Sequence, residues 1–134
     1  MVKPLEFEIE HVAFSVKDPP RVAKWYVEHL GMKVVRKLDA SPFTHFLADS
    51  AGDVTLEIYN NPKVAVPEYA KMDPLLLHIA FSVRDVKGTR QRLLAAGATP
   101  EGGVAVLDNG DELAMVRDPS GVPLQLVRRA QPMV

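Results

Sequence analysis

Apolar and polar residues alternate along His11-Val12-Ala13-Phe14-Ser15-Val16, which places Val12, Phe14 and Val16 on one face of a strand and His11, Ala13 and Ser15 on the other. The pattern returns 67 residues later as His78-Ile79-Ala80-Phe81-Ser82-Val83, and the match runs on through Lys17-Asp18 and Arg84-Asp85. After each copy the period changes from two to that of a helix. Val22, Trp25, Tyr26 and Leu30 recur on one stripe before Gly31, and Val86, Leu93, Leu94 and Ala96 do so less regularly before Gly97. A glycine there suits a left-handed helix cap. Each half then ends on a like turn and strand, Asp49-Ser50-Ala51-Gly52 before V-T-L-E-I-Y (54–59) and Asp118-Pro119-Ser120-Gly121 before V-P-L-Q-L-V (122–127).

These patterns predict strand, helix and three strands in each half. In the first half the elements are expected at 7–16, 20–30, 32–39, 43–49 and 54–60; in the second, at 75–83, 86–96, 99–107, 111–117 and 122–128. The fold class is therefore α+β, with two βαβββ modules in tandem. The modules span 5–60 and 75–128, and the stretch 61–74, with Pro62, Pro67 and Pro74, reads as the loop that joins them into one domain over 1–134.

Composition narrows the function classes. A chain of 134 residues with 47% hydrophobic and 25% charged residues has enough apolar material for a core and is not disordered by composition. With 16 basic and 17 acidic residues, the formal charge of -1 makes no electrostatic case for nucleic acid or an anionic membrane. No segment approaches membrane-spanning length, and the acidic, alternating start lacks the features of a secretory signal, so the expected location is cytoplasmic. Cysteine is absent, so any metal must be held by nitrogen and oxygen.

Strand alternation places four coordinating side chains on the faces turned away from the helices. His11 and His78 are related by the repeat, as are Glu57 and Gln125, and a pseudo-two-fold axis would bring the two pairs together. A single strand histidine is usually structural, but a duplicated one is harder to dismiss. An acid between Leu56 and Ile58 also needs a reason to be there. Two imidazoles and one carboxylate suit Zn, Ni, Co, Mn or Fe, with Gln125 as a candidate fourth ligand. His45 and His29 read as structural, and Glu6, Glu8 and Glu10 as the solvent side of an edge segment. Tyr59, Phe43, Met72, Met115 and Trp25 are candidate pocket walls, Trp25 more naturally helix core. No phosphate loop or serine-nucleophile turn is present.

The paired H-[VI]-A-F-S-V-[KR]-D strands, K-W-Y-V-E-H-L-G-M (24–32) and D-P-S-G-V-P-L-Q-L (118–126) resemble the vicinal oxygen chelate superfamily over essentially the whole chain. That superfamily includes glyoxalase I, methylmalonyl-CoA epimerase, extradiol dioxygenases, fosfomycin-modifying transferases and metal-free bleomycin-binding proteins. The resemblance implies curled mixed sheets enclosing a metal and ligand cavity. It also implies ligands from the first and last strand of each module, here His11, Glu57, His78 and Gln125, and a homodimer. Glyoxalase I typically carries a carboxylate at the place of Gln125, and an amide cannot serve as its base. Three functions are expected in descending order. The first is a metal-dependent lyase or isomerase acting on a small carbonyl compound through an enediolate, with Glu57 as catalytic base. The second is an Fe(II) or Mn(II) dioxygenase, and the third a non-catalytic small-molecule binder.

Overall fold

The computed structural model describes residues 2–134, in two compact units, Met1–Pro67 and Glu68–Val134. Each is βαβββ, as the repeat predicts. The first unit runs β1 (His11–Ser15), α1 (Pro19–Leu30), β2 (Lys33–Lys37), β3 (His45–Ala48) and β4 (Thr55–Tyr59). Its sheet has the order β1-β4-β3-β2, with β1 parallel to β4 and the other pairs antiparallel. The second unit repeats this with β5 (Ile79–Ser82), α2 (Val86–Ala95), β6 (Thr99–Val106), β7 (Glu112–Arg117) and β8 (Pro123–Arg128), in the order β5-β8-β7-β6. Among the described residues no helix is long and apolar enough to cross a membrane.

Local signals place the helices. Asp18 and Asp85 cap α1 and α2, accepting hydrogen bonds from the backbone N–H of Arg21 and Gly88 at 3.3 and 2.9 Å. Pro19 and Pro20 open α1, where a missing N–H costs nothing, and Gly31 closes it at φ +67. The predicted stripe of α1 is buried at Val22, Trp25 and Tyr26, and the helix packs on β2, β3 and β4. The weaker stripe of α2 is buried at Val86 and Leu93 only, with Leu94 and Ala96 half-buried. Beneath the helices lie Phe14, Leu47, Leu56 and Ile58 in one sheet and Ala114, Val116, Leu124 and Leu126 in the other. Each fully buried Leu or Ile there contributes about 1.5–3 kcal/mol.

Two predicted strands begin four residues later than their alternation suggests. The first, expected over 7–16, is β1 at His11–Ser15, because its one partner, β4, has five residues to offer. Phe7 and Ile9 before it are 86% and 68% exposed, so their alternation meets no core. The strand expected over 75–83 is β5 at Ile79–Ser82. Asp73 accepts hydrogen bonds from the N–H of Leu75, through its side chain at 2.8 Å, and of Leu76, through its carbonyl, turning the chain just before the strand. The stretch expected to be a plain connector holds a 3-10 turn at Tyr69–Lys71 that is fastened to the second unit. Phe43, expected to begin a strand, sits at φ +56 ahead of β3.

Candidate metal centre

The parallel pairing of first and last strands brings together residues far apart in sequence. In the first unit Ala13 stands opposite Glu57 and His11 opposite Thr55, so His11 and Glu57 are diagonal neighbours on the face turned from α1. Their side chains meet, with Nε2 of His11 3.2 Å from Oε2 of Glu57. Atoms that bind one ion at zinc-like lengths stand about 3.0–3.5 Å apart.

Both ring nitrogens of His11 face carboxylates. Nδ1 of His11 lies 2.8 Å from Oε1 of Glu10, and an ionised carboxylate only accepts, so Nδ1 carries the proton. A ring protonated on both nitrogens donates to both carboxylates; a neutral ring with its proton on Nδ1 presents the Nε2 lone pair to Glu57, acceptor against acceptor, an arrangement that a cation between the two would relieve. A carboxylate on the far nitrogen is also how metal-binding histidines are commonly oriented. The edge of one ring meets the face of the other where His11 packs on Phe46, with centroids 5.6 Å apart at 85°. The donor set therefore fits a divalent ion.

In the second unit, β5 pairs with β8 so that Ala80 stands opposite Gln125, and His78 immediately precedes the strand. The register matches that of the first unit and puts Gln125, opposite Ala80, on the face turned from α2. His78 donates from Nδ1 to the Pro74 carbonyl at 3.0 Å, which leaves its Nε2 available. Gln125 is half-buried beside Met115 and makes no side-chain hydrogen bond to any described residue. Among the described residues, no three His, Cys, Asp or Glu side chains come together in a group that could hold a metal ion. The structure thus joins His11 with Glu57, and has no hydrogen bond between His78 and Gln125.

The remaining histidines take the structural roles expected of them. His45 is buried, pairs with Ile58 on the side of the sheet that faces α1, and has Nδ1 2.7 Å from the Phe43 carbonyl. His29 ends α1 against Trp25. Glu10 is exposed, as its reading as the solvent side of an edge segment expects, but its contact with the His11 ring was not foreseen, although its place beside His11 was a usable signal. Sequence reasoning missed Arg117, a buried arginine that donates to the carbonyls of Tyr69, Gly121 and Met72 and pairs with Glu101. Through Tyr69 and Met72 it anchors the segment that leads to Pro74 and so to His78. No pattern in the sequence marked it.

The family model of the glyoxalase/bleomycin resistance protein/dioxygenase superfamily matches residues 8–126. A probable lactoylglutathione lyase of Vibrio parahaemolyticus is 30% identical over 131 residues, which cover 92% of this chain and 91% of that protein. A lactoylglutathione lyase of Arabidopsis thaliana is 31% identical over 127 residues, and the chain spans 43% of its length. Among solved structures, a glyoxalase family protein of Bacillus cereus superposes with a TM-score of 0.79 at 16% identity, covering 96% of this chain and 97% of that one, a likeness of fold.

Proposed function

Because the chain belongs to the glyoxalase/bleomycin resistance protein/dioxygenase superfamily, we propose that it is a divalent-metal-dependent lyase or isomerase of the glyoxalase I kind. Its substrate is a small carbonyl or hydroxy-carbonyl compound, and His11, Glu57, His78 and Gln125 hold the ion. The observation that carries this reading is the approach of His11 to Glu57 with the other imidazole nitrogen already held by Glu10.

A bound divalent ion supplies Lewis-acid stabilisation of negative charge on the substrate oxygens. Glu57 does the proton work. Its carboxylate takes the proton from the carbon beside the carbonyl, leaving an enediolate, and returns it to the neighbouring carbon. Gln125 has no useful basicity, so the proton passes through the first unit. Glu10 and the Pro74 carbonyl orient the rings of His11 and His78 through their Nδ1 atoms.

The test uses the hemithioacetal of methylglyoxal and glutathione, a probe suggested by the names of the relatives. With added metal at saturation, Glu57→Gln should lower kcat by about 10²–10⁴-fold, and an undiminished rate removes Glu57 from the role. Metal analysis of protein purified without a chelating tag separates the neighbouring chemistries. Zinc or nickel accords with proton transfer, iron with substrate-dependent oxygen uptake replaces it by a dioxygenase, and metal-free protein that still binds ligand replaces it by a binder.

A further inference from the structure

The outer strand of the first sheet carries two cations whose placement is not that of a regular strand. In β2, Lys33 pairs with Ala48 and Val34 with Leu47, but Arg36 pairs with Phe46, so Val35 is an extra residue in a bulge. Residues three apart in a regular strand face opposite ways. The bulge cancels that, and Lys33 and Arg36 both point to the face that carries His11 and Glu57. Two rows cross this face: His11, Thr55, Ala48 and Lys33, and beside it Ala13, Glu57, Phe46 and Arg36.

The spacing suits a small molecule. Arg36 stands two strands from Glu57, about 10 Å between backbones, and Lys33 about 7 Å from Arg36. Phe46 lies between Glu57 and Arg36 and touches the His11 ring, an apolar step between a candidate reaction centre and a cationic rim. Both cations are exposed, and neither has a hydrogen bond or ion pair to any described residue, whereas the neighbouring Lys37 is paired with Asp39 at 3.4 Å. The corresponding row of the second unit ends in Glu101, already held by Arg117 at 2.9 Å. An unpaired arginine and lysine side by side offer a fork and a point charge for a planar or tetrahedral oxyanion.

We propose that Lys33 and Arg36 form an oxyanion subsite, and hence that the substrate is a small carbonyl compound with a carboxylate or phosphate group at the end remote from the reacting carbons. The proposal rests on the His11 and Glu57 centre described above for the reacting end alone. Its test compares three ligands on the zinc-loaded protein by calorimetry: acetohydroxamate, which has the chelating oxygens and no charged tail; succinohydroxamate, with a carboxylate tail; and the corresponding phosphonate.

The tailed ligands should bind about tenfold more tightly than acetohydroxamate, the tighter of the two identifying the oxyanion. The Lys33→Gln, Arg36→Gln double variant should lose that advantage and keep its affinity for acetohydroxamate. An advantage absent from the parent protein, or one that survives in the variant, overturns the subsite. If acetohydroxamate itself fails to bind, the metal reading fails instead. The subsite is then decided on metal-free protein with succinate, which should shift the amide resonances of Lys33 and Arg36 in the parent and not in the variant. Unmoved resonances in the parent overturn it.

Discussion

In the first unit the row Ala13, Glu57, Phe46, Arg36 crosses the sheet from β1 to β2, and in the second the row Ala80, Gln125, Met115, Glu101 crosses from β5 to β6. The backbone positions correspond, but the charges do not. The first row has an acid beside a histidine and ends in an unpaired cation; the second has a neutral amide and ends in an acid neutralised by Arg117. Arg117 occupies the neighbouring row, next to Pro123, where the first unit has Ala48 next to Thr55. Duplication thus preserved the places while the residues in them diverged. One face leaves Lys33 and Arg36 without an ion pair among the described residues, and the other spends an arginine on holding its own chain.

The sharpest way to break this comparison is to remove that arginine. Arg117→Ala strips four hydrogen bonds and leaves Glu101 and the carbonyls of Tyr69, Met72 and Gly121 without their donor. It should cost about 2–4 kcal/mol in urea unfolding, against less than about 0.5 kcal/mol for Arg36→Ala on the corresponding open face. Equal losses would mean that the two faces do not differ in this way.

The paired turn glycines give a smaller contrast. Gly52 and Gly121 both have positive φ, but a Cβ at Gly52 meets nothing within 4 Å, whereas one at Gly121 lies 2.7 Å from the Ala70 nitrogen. Gly121→Ala should cost about 2–3 kcal/mol, with loss of the 3-10 turn, and Gly52→Ala about 1 kcal/mol.

The smallest effect concerns acid. Asp111 accepts from the backbone N–H of Ala130, from Arg129 and from Asn109, and these hold its carboxyl below the ordinary value of 3.8, the Ala130 bond most strongly. A folded-state value below the unfolded one stabilises the protein above the unfolded value, and the gain is lost as pH falls through the folded value. Asp111→Asn should therefore flatten the fall in urea midpoint below about pH 4. A slope unchanged from the parent would show that Asp111 does not link pH to folding.

Much of this was open to reading before any coordinates. The repeat around His11 and His78, the glycine caps at Gly31 and Gly97 and the period-two alternation were enough to infer two βαβββ modules, and to put His11, Glu57, His78 and Gln125 on the faces away from the helices. Where alternation lacked a partner strand it misled, as at Phe7 and Ile9, because a pattern of side chains says nothing about what is there to cover them. The Asp73-Pro74 turn could have been recognised from its residues. The bulge at Val35 could not, since an extra residue is defined only against the strand it pairs with.

The amino-acid order alone determined the doubled topology and the face on which each candidate ligand lies, because helix and strand periods are local properties of the chain. Only the tertiary structure decided that His11 meets Glu57 across 45 intervening positions with Glu10 at its back, that Arg36 shares their face, and that Arg117 turns inward to bind the linker. Those outcomes depend on register, and register is settled between strands.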